Sequence, residues 1–187
     1  MLTRRQTLAA GGAALILPGL ATPSIAKFKL APHLEPQYVD VWAGLESGQI
    51  YVVASSFYLF WVETEGKALR YGVGLGKAGL EFEGEAIIER KAKWPFWRPT
   101  PAMIKREPEK YKKFAKGVPG GPKNPLGARA LYLYENGVDT YYRIHGTTEP
   151  ESIGHSRSNG CVRMINEHVE DLYERVPVGT KVTVMQA

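Results

Sequence analysis

The chain contains a single cysteine, Cys161, and a histidine sixteen residues before it, His145. A free thiol is a poor nucleophile at neutral pH, because a pKa near 8.5 leaves only about 3% of it as thiolate. A neighbouring imidazole that takes the proton removes this limit, and a flanking arginine favours the anion. Cys161 lies in Ser158-Asn159-Gly160-Cys161-Val162-Arg163-Met164, and His145 lies in Ile144-His145-Gly146-Thr147, at the end of a predicted strand. Gly160 lets the backbone approach a substrate carbonyl closely. The Cys161 amide, with a second donor from Gly160 or a nearby residue, could then hold an oxyanion, each donor lowering the barrier by about 3 kcal/mol. A lone cysteine is more often a buried, inert side chain. The Ser, Asn, Gly and Arg around this one instead describe a polar loop at a helix start. His155, six residues before Cys161, is a rival base, whereas His33 and His168 read as structural or solvent-facing. A zinc site built from His145, His155 and Cys161 matches no common metal spacing.

The elements that must position this pair are mostly strands. Residues 50–54 and 57–62 are β-branched and aromatic, Glu65-Gly66 punctuates a hairpin, and residues 68–73 read as the returning strand. Residues 85–90 form another short strand candidate. Four prolines between Trp94 and Pro108 forbid a long helix or a central strand there. Residues 109–116 suit a short basic helix, most simply a solvated face, and residues 117–127 a Pro/Gly-rich loop. Residues 130–134 and 140–145 flank an Asn136-Gly137 turn, a strong hairpin signal. Residues 165–176 carry Ile165, Val169, Leu172, Tyr173 and Val176 at three- and four-residue spacing, with Asn166 as a candidate cap. Pro177 and Gly179 end that helix, and residues 181–185 make a last strand. The pattern predicts a mainly β domain, a sandwich or partly open barrel, with one main helix after the cysteine loop.

Composition narrows the remaining choices. The 187 residues suit one domain, and one cysteine excludes a disulfide scaffold or a four-cysteine metal site. The formal charge of +5 comes from 24 basic and 19 acidic residues mixed along the chain, which does not point to nucleic acid. Residues 1–26 read as an export signal: Arg4 and Arg5, a weakly apolar stretch, then Ser24-Ile25-Ala26 for cleavage. The paired arginines after Thr3 are those of the twin-arginine route to the periplasm. An uncleaved anchor is the other reading, though Gly11, Gly12, Pro18 and Gly19 make a poor membrane helix. Residues 27–48 read as a lead-in and 49–187 as the domain. In an oxidising compartment a thiol without a partner needs a chemical reason.

Taken together, these motifs resemble the YkuD-type L,D-transpeptidases. The resemblance is carried by His145-Gly146-Thr147, Ile153-Gly154 and Ser158-x-Gly160-Cys161-Val162-Arg163-Met164. Gly121-Pro-Lys-Asn-Pro-Leu-Gly127, Ala128-Arg-Ala-Leu-Tyr132, Trp94-Pro-Phe-Trp97-Arg-Pro99 and the 50–76 hairpin with its Tyr71-Gly-Val-Gly-Leu-Gly76 tail add to it. It covers about residues 49–185. It implies Cys161 as nucleophile, His145 as general base and later acid, and the Gly146 carbonyl as the group that orients the imidazole. Ser158, Gly160 and Cys161 would shape the loop and oxyanion hole. Arg163 would organise the loop and help hold the peptide stem, with Asn159 and Thr147 also on the substrate side. Asn159 stands where many members have histidine, and Glu81-Phe82-Glu83-Gly84 where the family often shows Thr-Pro-x-Gly.

The implied reaction transfers a tetrapeptide stem of peptidoglycan to an amine acceptor, releasing D-alanine and forming a 3→3 cross-link. It needs no cofactor and no metal, and the resemblance implies acylation of Cys161 by carbapenems. The protein is expected to be a monomer. Water as acceptor would make it an L,D-carboxypeptidase or hydrolase, and a lysine of an outer-membrane protein an anchoring enzyme. A non-catalytic wall-binding module is the reading from another class.

Overall fold

Alternation decides which face of each strand turns inward. The computed structural model describes residues 28–186, so the expected export signal lies outside the described residues. In chain order the elements are β1 (Gln37–Asp40), β2 (Gln49–Val53), β3 (Tyr58–Thr64), β4 (Lys67–Gly72), β5 (Leu75–Gly76), β6 (Gly84–Lys93), α1 (Pro101–Arg106), α2 (Pro108–Tyr111), β7 (Arg129–Glu135), β8 (Val138–His145), β9 (Ser156–Ser158), β10 (Val162–Arg163), α3 (Asn166–Arg175) and β11 (Lys181–Met185). In β2 and β11 every second residue is buried, so Ile50, Val52, Val182 and Val184 enter the core. In β7 the run Ala130–Leu133 is buried throughout: Leu131 and Leu133 enter the core with α3, while the guanidinium groups of Arg90 and Arg143 lie over the Tyr132 ring on the other face.

Nine strands form one sheet in the order β1-β4-β3-β2-β11-β6-β7-β8-β10, and β5 and β9 form a separate parallel pair. Most neighbours are antiparallel, while β11–β2 and β10–β8 are parallel. An isolated bridge outside the ladders links Gly74 to Arg163, with N–H···O bonds of 2.9 and 2.7 Å. It draws the chain beyond β4 against β10, so the sheet curls back on itself without closing into a barrel. This is the mainly β architecture that the sequence pattern predicts.

Two local outcomes differ from expectation. The lead-in is folded: β1 pairs with β4, and Leu30 and Leu34 pack with Ile153 in a small second core. Its period-two signal is too short to announce a four-residue edge strand. Asn166 does not cap α3. Ile165 holds the cap position without a side-chain bond, and the Asn166 side chain turns toward other backbone groups described below. The expected hydrophobic face is present, with Val169, Leu172 and Val176 buried against the sheet.

Candidate functional site

Strand register places the two candidate residues, Cys161 and His145, on one face of adjacent strands. In the β8–β10 pair Ile144 lies beside Val162 and His145 beside Arg163. Ile144 and Val162 are buried in the core, so their alternating neighbours His145, Arg143, Arg163 and Cys161 belong to the opposite face. Cys161 immediately precedes β10 and is half-buried. His145 ends β8 and is 5% exposed.

The imidazole is tightly held. The Gly146 carbonyl accepts a hydrogen bond from Nδ1 at 2.5 Å, which assigns the proton to Nδ1 and leaves Nε2 as the basic nitrogen. The Leu126 carbonyl also faces the ring. Burial, reinforced by the positive charge of Arg163, pushes the His145 pKa down to about 3, so the ring is neutral at physiological pH. The Asn166 side chain fixes the surroundings. Its Oδ1 accepts from the Ala128 N–H at 3.0 Å, and its Nδ2 donates to the Thr147 carbonyl at 3.1 Å. Gly127 and Gly146 must be glycine for this clamp to close, since a Cβ on either would sit 2.2 Å from the Asn166 oxygen.

The thiol is held differently. Cys161 Sγ–H donates weakly to the Tyr141 carbonyl at 3.8 Å rather than to His145, and the Arg143 N–H faces the sulfur from the same strand. Burial pushes the thiol pKa up, and the charges of Arg143 and then Arg163 act against it. Ser158 ties the loop: its Oγ donates to the Cys161 carbonyl at 2.6 Å and accepts from the Gly160 N–H at 3.0 Å. The Cys161 N–H has no partner among the described residues. Gly160 has φ +120°, and a Cβ there would lie 2.4 Å from the Tyr142 ring and 2.5 Å from the Leu80 carbonyl.

These contacts show where the other expected site residues sit. The Gly160 amide donates to Ser158 Oγ in this structure. Thr147 is 4% exposed, and its hydroxyl accepts the Glu149 N–H in a buried turn. Asn159 is committed to the segment between β6 and β7, donating to Tyr111 Oη at 2.8 Å and accepting from Arg106 at 2.6 Å. Arg163 pairs with Glu149 at 2.7 Å and lies beside His145 in register. His155 is exposed and lines a separate cavity with Phe28, His33 and Glu151.

Sequence reasoning missed Arg143, Asp139 and Tyr141. The register of β7 with β8 steps by two, so Thr140, Tyr141 and Tyr142 stand opposite Leu133 alone. Tyr141 sits there at φ +63°. The Asp139-Thr140 pair was the available signal, since short polar side chains favour local backbone bonds: Asp139 accepts the Tyr141 N–H at 2.8 Å and Thr140 the Tyr142 N–H at 3.1 Å. Glu81 to Gly84 also finds a place here: the Phe82 ring packs on Tyr142 at 5.1 Å, and Tyr142 donates to the Leu80 carbonyl, closing this segment over Gly160.

Fold and site define a mainly β domain that carries a cysteine and a histidine on one face at the sheet edge. The chain belongs to the L,D-transpeptidase catalytic domain family (YkuD), whose model matches residues 47–184. It is 35% identical over 117 residues to "Probable L,D-transpeptidase ErfK/SrfK" of Escherichia coli (strain K12), an alignment covering 62% of this chain and 36% of that protein. The matched part is therefore about a third of that relative's length. Among solved structures, a Brucella melitensis protein described as a probable carnitine operon oxidoreductase is 51% identical, with a TM-score of 0.58 over 83% of this chain and 96% of that one. That description names another activity, and the family assignment rests on the domain match and the curated relatives. An Enterococcus faecium L,D-transpeptidase, 17% identical, shares the fold with a TM-score of 0.55 over 75% of this chain and 50% of that one. No helix among the described residues is long and apolar enough to cross a membrane.

Proposed function

We propose that the protein is a peptidoglycan L,D-transpeptidase working through an acyl-enzyme on Cys161. The observation that carries this reading is the β8–β10 register, with Cys161 and a neutral, oriented His145 on one face of adjacent strands. The Cys161 side chain leaves its weak bond to the Tyr141 carbonyl and passes its proton to His145 Nε2. The sulfur attacks the carbonyl of the L-centred third stem residue, and the oxyanion faces the free Cys161 N–H. The terminal D-alanine leaves with the proton from His145. An amine of a neighbouring stem then attacks the thioester, His145 takes its proton, and the thiol is restored as the 3→3 cross-link forms. The carbonyls of Gly146 and Leu126 both favour the transient imidazolium.

Arg163 organises the loop through Glu149 and holds the stem, and export by the twin-arginine route through residues 1–26 delivers the domain to the periplasm. Wild type and His145→Ala, incubated with defined disaccharide-tetrapeptide muropeptides, test the reading. Dimers from wild type and their loss in the variant are expected. Tripeptide monomers alone would redirect the assignment to a carboxypeptidase. Full activity in the variant would remove His145 as the base. Sacculus binding without acylation or turnover would leave only a wall-binding module.

A further inference from the structure

The two-residue bulge in β8 is a costly construction, and its place beside the nucleophile gives it a use. A non-glycine residue in the left-handed region is strained and persists only where surrounding contacts hold it. Tyr141 is such a residue, and its side chain is 69% exposed, so packing of its ring does not hold it there. Polar contacts do. Asp139 binds the Tyr141 N–H and also accepts from both terminal guanidinium nitrogens of Arg143, at 2.7 and 2.8 Å. Arg143 Nη1 further donates to the Tyr142 carbonyl at 2.8 Å, and the guanidinium lies 4.4 Å from the Tyr132 ring centroid. The Arg143 side chain is only 12% exposed.

This fixed cation has a defined neighbour. Extending the β8–β10 register by one residue sets Cys161 beside Arg143. His145 accepts the Met164 N–H through its carbonyl, so the Arg143 N–H, two residues earlier, also points toward β10. Arg143 and Gly160 line one cavity. We propose that Arg143 is a positioning residue for the nucleophile: the bulge of β8 aims its backbone N–H and its clamped guanidinium at Cys161, ready to receive the thiolate. The bulge therefore presents two opposite groups to one sulfur. The Tyr141 carbonyl accepts from the thiol at rest, and the Arg143 N–H and cation favour the anion during attack. The other groups near the sulfur are Arg163, which has the same sign of effect, Asp139, which opposes it, and the Tyr142 hydroxyl.

The inference rests on Cys161 being the nucleophile, and its test uses no peptidoglycan. Cys161 is the only thiol, so iodoacetamide alkylation read by intact mass is unambiguous. Rates are measured from pH 6 to 10 for the full chain, for Arg143→Gln and for Arg143→Lys, with folding checked by circular dichroism. In Arg143→Gln the half-maximal pH moves up and the rate at pH 8 falls about tenfold, while Arg143→Lys recovers most of the loss. Should Arg143→Gln not fold, the paired Asp139→Asn, Arg143→Gln variant leaves no lone buried charge and is expected to shift in the same direction. A folded variant with the wild-type pH profile overturns the inference. A wild type that shows the Arg143-dependent profile but releases no D-alanine from tetrapeptide stems overturns the transpeptidase reading and leaves this one standing.

Discussion

The two halves of the site are built by opposite means. Around His145 every group is committed: the ring bonds Gly146, Asn166 clamps Ala128 and Thr147, and two glycines let the backbones meet. Around Cys161 the backbone is strained and the thiol itself is loosely held, with Tyr141 at φ +63° and a thiol contact of 3.8 Å. A general base must keep one tautomer and one direction through both half-reactions. A nucleophile must leave its resting contact, form a bond and return. Rigidity on one side and a weak, easily exchanged contact on the other meet these demands.

That contrast can be broken at either side. Removing the thiol has the largest effect: Cys161→Ala should show no carbapenem adduct by intact mass, where wild type shows a single one. A persisting adduct would move the nucleophile elsewhere. His145→Gln should slow acylation by roughly 10²–10⁴, measured as adduct formation against time, and an unchanged rate would mean the fixed ring is not the base. Gly160→Ala forces a side chain into φ +120° against Tyr142 and Leu80, and should lose on the order of 1–3 kcal/mol in urea unfolding.

Smaller effects sharpen the difference between the halves. Asn166→Ala leaves the Ala128 N–H unpaired and should cost about 1–3 kcal/mol, while Asn159→Ala, on the nucleophile side and half-buried, should cost less. Equal losses would contradict the contrast. His145 also sets a pH response. Its folded pKa of about 3 lies below the ordinary 6.5, so the unfolded chain binds the extra proton between those values. The stability it contributes is present above pH 6.5 and is lost as pH falls toward 3, by about 1.4 kcal/mol per unit. His168, also lowered by burial, adds in the same direction. His145→Gln should flatten part of that slope in urea titrations at successive pH values.

Much of the architecture was legible because it is local. The Asn136-Gly137 turn between two strand-like runs announced the β7–β8 hairpin, and the spacing from Val169 to Val176 announced α3. Arg143 was not legible, since its relation to Cys161 runs through a parallel pairing of residues eighteen apart and a bulge that shifts register. Asn166 looked like a cap because side-chain type at a helix start signals capping, while a tertiary demand from Ala128 and Thr147 outbid it.

By itself the sequence determined the family and the mainly β class and pointed to one thiol and one upstream histidine, because residue type and short-range period carry that information. Tertiary structure alone decided which donors remain free and what charge surrounds the sulfur. The Gly160 amide is spent and the Cys161 amide is not, Asn159 and Thr147 face inward to structural partners, and Arg143 stands beside Cys161. Such outcomes depend on which backbone groups find partners across strands, and that is settled only when register and bulge are fixed in space.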